Sequence, residues 1–331
     1  IMDVVVGRLR SKNNLILCLT AICVGIGILL PLSIGAQERQ GLLVNAGLSV
    51  QSDSNITRTA EEISDKLAVF SPQLQFLSNV GQHKYVFDYR GDFTVYNEYN
   101  QYNNNENSLN LAAQFGHSYR FSSVFSLGYQ DSVEAPGINN SQTEFGNEFN
   151  KLTRKSALAN FYYGTSASNG QFVLGLDHNQ QRYTNNQQAF RDINLNTLTS
   201  TFFYRMGPQT RLLFEAIVDR FDDIASTLAT DRSSDGNRYL AGVEWASTAI
   251  TSGTFKVGYQ QIDHVDESFI DIDGLSYFLD MLWHSNSFTN LELCAKRTTR
   301  DLSHTDIAVF ISPAYSLSVV HALSLITHYN V

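Results

Sequence analysis

The amino-acid sequence predicts an all-β protein, namely an antiparallel up-and-down transmembrane β-barrel preceded by a signal peptide. Three features of the 331 residues support this prediction. Segments of about ten to thirteen residues alternate between apolar and polar side chains. The connections between these segments are alternately short and long, and an apolar export signal precedes the first segment.

Residues 84–96 (KYVFDYRGDFTVY) show the alternation most clearly. Phe87 and Tyr89 share one parity, whereas Asp88 and Arg90 share the other. Because successive side chains of a strand point to opposite faces, one face is aromatic and the other is charged. The aromatic face therefore has to pack against a second sheet or against lipid.

The alternation predicts about fifteen visible strands. Short connections, such as residues 79–81 and 207–209, alternate with long polar loops, such as residues 97–106 and 132–150. Bacterial outer-membrane barrels combine tight periplasmic turns with longer surface loops, so we expect the first strand to start in the periplasm. The predicted strands are residues 42–52, 67–78, 83–96, 107–119, 121–131, 151–163, 171–182, 194–206, 210–221, 236–246, 253–263, 274–285, 288–298, 306–315 and 320–331.

Residues 1–36 have the pattern of a secretory signal peptide, and residues 37–331 form the predicted barrel domain. Cationic residues precede the apolar stretch 15–30 (LILCLTAICVGIGILL), and small residues follow it up to Ala36. A membrane-anchoring helix is the alternative interpretation, but the stretch is short for a span. An exported chain can cross the outer membrane as a closed barrel, because its backbone groups pair between strands.

Composition excludes several other classes of protein. The net charge is −9, with 32 acidic and 23 basic residues, and this balance argues against a nucleic-acid partner. Of the three cysteines, only Cys294 lies outside the predicted signal peptide, so we expect neither an internal disulfide nor a cysteine metal site. We interpret Cys294 as a small residue packed in a strand, and we predict no cofactor.

The turns recur about every forty residues, a spacing that also occurs in propellers and solenoids. A propeller blade packs four short strands into such a period. Here each period holds two strands that are long enough to cross a bilayer at a tilt. The barrel is therefore the preferred prediction, and a secreted sandwich or propeller is the alternative.

Strand parity assigns side chains to the outer wall or to the lumen. Inward charges of both signs suggest ion pairs in a wet lumen, for example between Asp88 and Arg90. Glu292 and Lys296 are a second predicted pair. The outer wall is expected to include Phe87, Tyr89, Phe214, Tyr259 and Trp283. The predicted lumen-lining residues are Gln73, Gln75, Asp88, Arg90, Asn110, Gln114, Asn160, Tyr162, Asp177, Asn179, Arg211, Glu215, Asp219, Lys256, Gln260, Asp280, Glu292 and Lys296.

Aromatic residues near strand ends are expected to form the girdles of the two membrane interfaces. Residues 194–206 and 306–315 alternate less cleanly, so parity does not assign their faces. The predicted girdle residues are Tyr119, Phe121, Tyr162, Tyr163, Tyr204, Tyr239 and Trp245.

Both ends of the sequence look cut. Ile1 precedes Met2, and the chain stops inside a predicted strand without the terminal aromatic residue that usually ends such barrels. Because single-chain bacterial barrels have an even strand number, we expect 16 or 18 strands in a complete protein that is C-terminally truncated here. The barrel should therefore be open between its last and first strands, and a barrel of this size encloses an aqueous channel.

Residues 43–58 (LVNAGLSVQSDSNITR) resemble the opening of a family of outer-membrane β-barrel porins associated with exopolysaccharide and capsule gene clusters. The shared features are a first strand followed by the turn at residues 53–56 (DSNI). The next hairpin also fits, with a proline-containing strand at residues 70–72 and an Asp-Tyr-Arg strand at residues 88–90. The resemblance covers most of residues 40–331. It implies a role in the secretion or assembly of an exopolysaccharide or capsule, and it implies no catalytic residues.

Candidate catalytic and metal sites are weak. No nucleophile motif accompanies the histidine–carboxylate groups beside long loops, so we expect no enzymatic activity. Asp222, Asp223 and the carboxylates of residues 263–273 offer oxygen ligands for Ca²⁺, but their spacing matches no calcium loop. We therefore expect solvated loops and no metal site. The two histidine groups are His264 with Asp263 and Asp266, and His304 with Asp301 and Asp306.

Three functions in the bacterial outer membrane remain open from the sequence. We prefer a passive conduit for an exopolysaccharide or capsule, whose expected partners are outer-membrane lipid, the polysaccharide and periplasmic polysaccharide-export proteins. A general diffusion porin for small solutes and a structural or adhesive surface barrel are the alternatives. An arginine ladder facing an acidic constriction loop would favour the diffusion porin, and the sequence shows no such ladder.

Overall fold

The computed structural model describes one of the two units into which the chain divides, residues 1–38 and 39–331. All described residues belong to the second unit. The predicted signal peptide lies outside them and stays a prediction. No helix in this part of the chain is long and apolar enough to span a bilayer. The described residues are 40–58, 62–134, 148–224, 231–246, 250–286, 288–301 and 309–321.

Fourteen antiparallel strands form one sheet in which each strand pairs with its neighbours in sequence. The predicted all-β, up-and-down barrel fold is therefore confirmed. Within the described ranges no pairing joins the first strand to the last. The strands are Gly41–Asp53 (β1), Asp65–Val80 (β2), His83–Tyr96 (β3), Asn104–Gly116 (β4), Phe121–Glu134 (β5), Asn150–Tyr163 (β6), Gly170–Tyr183 (β7), Ile193–Gly207 (β8), Thr210–Asp223 (β9), Ser234–Trp245 (β10), Thr251–His264 (β11), Ile272–Asn286 (β12), Thr289–Asp301 (β13) and Val309–His321 (β14).

The predicted break between strands 306–315 and 320–331 is wrong. The single strand β14 runs through it and pairs with β13 from Val309 to His321. Ser316 and Ser318 lie on the polar parity of this strand. Serine is common in turns but also suits a solvated sheet face, which is why the sequence suggested a break here. Residues 322–331 lie outside the described part of the chain.

Short and long connections alternate as predicted, so all short connections lie at one end of the sheet, here called the turn end. The longer connections lie at the opposite end, here called the loop end. At the turn end, Gly81 and Gln82 alone join β2 to β3. Gly81 has a φ of +62°, a left-handed conformation that a glycine adopts without Cβ strain and that two-residue hairpins require.

Aromatic packing and ion pairs join the loops at the loop end. The rings of Tyr102 and Phe149, from the β3–β4 and β5–β6 connections, stack with centroids 4.9 Å apart. Arg191 of the β7–β8 connection donates to Glu134 at 2.9 Å, and both side chains are 5% exposed. Arg232 of the β9–β10 connection pairs with Asp223 at the end of β9 at 2.7 Å and donates to the backbone carbonyl of Phe190, in the β7–β8 connection, at 2.7 Å. Neighbouring long loops therefore pack on one another.

The strand register divides the side chains into two faces. Asp88 stands opposite Gln75 and Asn110, and Glu215 stands opposite Thr201 and Leu240. The face that contains these residues is here called the polar face, and the other is called the apolar face. Phe87, Tyr89, Phe214, Tyr259 and Trp283 all lie on the apolar face, where Phe214 is 54% exposed and Tyr259 46%.

The polar face is the more buried of the two in the centre of the sheet. Leu213 and Gln260, which lie on it, are 2% and 1% exposed. Side chains converge on the concave side of a curved sheet and splay apart on the convex side. The burial pattern is the one expected if the polar face is concave.

Candidate functional site

A polar hollow of about 420 Å³ opens on the polar face between β4 and β8. Small residues leave this space: Gly128 of β5 stands opposite Ser156 of β6, and Ser108 lies on β4. A Cβ at Gly128 would collide with the Ser156 hydroxyl, so the glycine permits the close approach of the two positions. The polar side chains around the space are Ser108, Asn110, Gln130, Arg154, Ser156, Asn179 and Gln181.

Part of the polar lining is held in place and part is available to a ligand. Arg154 Nε donates to Gln181 Oε1 at 3.0 Å, and Asn110 Oδ1 accepts from Ser126 Oγ at 3.1 Å. The Gln130 side chain makes no hydrogen bond to any described residue. An amide both donates and accepts, so this lining suits a ligand rich in hydroxyl groups.

A charge pair crosses the middle of the polar face. Lys256 Nζ donates to both carboxylate oxygens of Glu215 at 2.8 and 2.9 Å, and Thr201 Oγ1 donates to the same carboxylate at 3.2 Å. The lysine and glutamate side chains are 14% and 10% exposed. The pair joins β11 to β9 across β10, where Gly242 stands opposite Lys256 and offers no side chain in the way.

A second charged group lies closer to the turn end. Arg211 donates to Glu244 at 2.6 Å and to Gln171 at 2.7 Å. Its guanidinium lies 4.2 Å from the centre of the Phe203 ring, a cation–π contact. Both charge groups pair opposite signs, so this region presents no field of a single sign.

One predicted ion pair is present and the other is wrong. Arg90 Nε donates to Asp88 Oδ1 at 3.0 Å, and Gln75 donates to Asp88 at 2.5 Å. Glu292 and Lys296 form no ion pair with each other in the structure as described. Positions four residues apart on one strand are separated by about 13 Å, which is beyond the reach of a direct pair.

The register places every predicted lumen-lining residue on the polar face. Asn110 and Asn179 line the polar hollow, whereas Gln260 is buried and neither of its amide atoms has a partner among the described residues. Gln130, Arg154 and Gln181 were missing from the predicted set. Their parity with neighbouring predicted positions is the signal that identifies them.

Two predicted girdle positions are wrong. Tyr162 lies on the polar face, opposite Ser122, so it cannot face an interface on the outer wall. Tyr239 lies on the apolar face but in the middle of β10, opposite Tyr259. By contrast, Tyr163 ends β6 and Tyr204 lies three residues before the end of β8, both toward the turn end, and they are 60% and 52% exposed.

The histidine candidates do not form the predicted groups. His264 Nδ1 lies 3.7 Å from Asp271 rather than beside Asp263 or Asp266. Asp266 instead accepts the backbone N–H of Ser268, which holds the pKa of that carboxyl below its usual value. His304 and Asp306 lie outside the described residues, as does the side chain of Asp301.

The calcium candidates separate as well. Asp222 pairs with Arg220, whereas Asp223 on the opposite face pairs with Arg232. No group of three potential metal ligands occurs where the structure describes the chain.

The comparison with known protein families matches residues 44–327 to the model described as Putative beta-barrel porin 2. The chain belongs to this family. No curated protein matches it. A crystal structure of the ferric enterobactin receptor PfeA in complex with BCV-L6 is similar at 11% identity, with a TM-score of 0.46 over 79% of this chain and 45% of that chain. This chain thus spans less than half of that receptor. The P. putida toluene transporter TodX is similar at 9% identity, with a TM-score of 0.32 over 84% of this chain and 87% of that one.

Proposed function

We propose that this porin-family protein is a bacterial outer-membrane barrel that acts as a passive conduit in the secretion or assembly of an exopolysaccharide or capsule. In this proposal the polar face is the wall of the lumen, and the barrel follows a cleaved signal peptide at residues 1–36. Outer-membrane lipid, the polysaccharide and periplasmic polysaccharide-export proteins are its partners. No cofactor and no enzymatic step take part.

The polar hollow is the observation that supports a glycan most directly. Gln130, Asn179 and Ser156 bring amide and hydroxyl groups to one space, and each can bond a sugar hydroxyl as donor or acceptor. A volume of about 420 Å³ lies within the range of small-molecule sites. Arg154 brings a cation to the hollow, where it bonds the neutral amide of Gln181, whereas the charges in the middle of the polar face are paired.

The apolar face supports the membrane location. Leu127 and Phe214 lie on it and are 56% and 54% exposed, as is usual for an outward-facing wall whose apolar band contacts lipid. Such an exposed apolar face favours contact with lipid over contact with water, because removing apolar surface from water stabilises a protein by about 25 cal/mol per Å².

A general diffusion porin is the second candidate, because the matched family is described as a porin family. In that case the same polar side chains solvate a channel for small solutes without binding a glycan. The two candidate functions predict different defects when the protein is removed: loss of polysaccharide secretion for the conduit and loss of small-solute uptake for the diffusion porin.

The deciding experiment deletes the full-length gene and measures secreted polysaccharide beside the uptake of small sugars and antibiotics. The conduit proposal expects reduced polysaccharide with unchanged uptake. Normal polysaccharide with impaired uptake would overturn it and support the diffusion porin.

Complementation variants make the test specific to the polar hollow. The double variant Gln130→Leu, Asn179→Leu removes two amides from the polar face and should restore secretion poorly. Gln261→Leu, on the exposed apolar face of β11, is the matched control and should restore it fully. Equal amounts of folded barrel in the outer membrane are required in all strains.

A further inference from the structure

A second hollow, of about 630 Å³, lies on the apolar face across β5 to β9. Its depth comes from Ala157 and Ala159 of β6, which are small compared with Leu127 and Phe125 opposite them on β5. This hollow is here called the wall hollow. The side chains that line its part nearer the turn end are Phe125, Ala159, Leu176, Leu198 and Val218.

The part of the wall hollow nearer the loop end is polar. His178 and Asn196 stand opposite each other on β7 and β8 and share a hydrogen bond of 2.7 Å. Arg220 of β9 stands opposite Asn196 and is 66% exposed. The wall hollow therefore changes from aliphatic to polar along the strand direction, as the surface of a membrane protein does where acyl chains meet headgroups.

Cationic side chains continue beyond this polar edge toward the loop end. Lys155 of β6 is exposed and forms no ion pair or hydrogen bond with a described residue. Arg182 of β7 donates to two backbone carbonyls and to Asn194 Oδ1, and it forms no ion pair within the described ranges. Three carboxylates lie on this part of the face: Asp131, Asp222 and Asp235. Asp131 accepts hydrogen bonds from Tyr129 and Thr153, and Asp222 pairs with Arg220.

We propose that the wall hollow binds one membrane lipid with a phosphate-bearing headgroup. An acyl chain fills the aliphatic part, and the phosphate lies against Arg220 and Lys155. Charge complementarity selects this occupant: Lys155 and Arg182 form no ion pair with a described residue, Arg220 is 66% exposed beside Asp222, and cations at a membrane surface attract anionic lipid. The proposal rests on the membrane location proposed above.

The test uses the purified full-length protein in vesicles of zwitterionic phospholipid that contain either lipid A or dephosphorylated lipid A. Lipid retained on the released barrel is measured by native mass spectrometry. We expect the wild-type protein to retain one copy of the phosphorylated lipid. The double variant Arg220→Gln, Lys155→Gln should bind it about thirtyfold more weakly, because two cations near the surface are lost.

Arg297→Gln is the matched control, because Arg297 is a cation of the apolar face on β13, far along the sheet from the wall hollow. This control should retain the lipid as the wild-type protein does. A third variant, Ala159→Trp, fills the aliphatic part and should weaken retention while leaving the cations in place. Heat-modifiable migration in gels reports whether each variant is folded.

Three outcomes would overturn the lipid site. The first is equal retention of both lipids by the wild-type protein, which indicates nonspecific boundary lipid. The second is retention of the phosphorylated lipid by the double glutamine variant at the wild-type level. The third is a measured mass that corresponds to two protein chains without lipid. Failure of the wild-type barrel to insert into any vesicle would instead contradict the proposed membrane location.

Discussion

At the scale of single residues, substitutions of Lys256 and Glu215 test whether the stability of the barrel depends on charge pairing on the polar face. Both side chains are almost buried and joined by two short contacts. Removing one partner leaves the other charge without compensation in a poorly solvated place, which costs more than the pair contributes. We expect Lys256→Met to lower the free energy of unfolding by about 3 kcal/mol, as measured by urea titration of the barrel in lipid vesicles.

Two further variants distinguish a charge effect from a packing effect. Arg90→Met removes the cation of a pair in which Arg90 is 62% exposed, so its effect should stay below about 1 kcal/mol. Lys256→Met combined with Glu215→Leu removes both charges and should recover most of the lost stability. If the double variant is as unstable as the single one, the loss comes from packing and the prediction fails.

At the scale of elements, Asp65 connects the start of β2 to the β3–β4 loop. Its carboxylate accepts the backbone N–H groups of Lys66 at 2.6 Å and of Glu98 and Tyr99 at 3.0 Å each. We expect Asp65→Ala to release the loop at residues 97–103. Protease cleavage there should become about tenfold faster, since three charge-assisted bonds are lost.

The matched control for this prediction is Asp53→Ala. Asp53 accepts one backbone N–H, that of Asn55 at 2.9 Å, within its own loop, so cleavage at residues 97–103 should not change. Asp65→Asn keeps one acceptor oxygen and should lie between the wild type and Asp65→Ala. If Asp65→Ala and the wild type are cleaved at residues 97–103 at the same rate, the aromatic packing is sufficient to hold the loop and the prediction fails.

The sequence predicted most of these elements because a period of two along one strand is a local signal. Even the side of Asp88 or Lys256 follows from parity, since each of them alternates with apolar and aromatic residues along its strand. The pair between Lys256 and Glu215 could not be predicted, because it depends on the register of strands that are distant in sequence. The polar hollow depends in the same way on Gly128 standing opposite Ser156. The wrong break near Ser316 has a different cause, since serine suits both a turn and a solvated face.

At the scale of the whole molecule, the proposed membrane location assigns the apolar face to lipid and the polar face to water, and a one-residue slip of register would reverse every side chain of the slipped strand. Gln130 on the polar face and Phe214 on the apolar face are both exposed in the barrel without lipid. In vesicles the bilayer should cover only the apolar face. We therefore expect Phe214→Cys to react about tenfold more slowly than Gln130→Cys with a water-soluble maleimide, because apolar surroundings suppress the thiolate.

The labelling is measured in a Cys294→Ser background, because Cys294 lies on the polar face of β13 and would itself react. The same two variants in detergent-free urea provide the control, since the unfolded chain exposes both thiols equally. Equal rates in vesicles would mean that lipid does not cover the apolar face. Faster labelling at Phe214→Cys would place water on the aromatic side and lipid on the charged side. A bilayer tolerates arginine at mid-height only at a cost of about 2–4 kcal/mol, so that arrangement would contradict both the polar lumen and the proposed conduit.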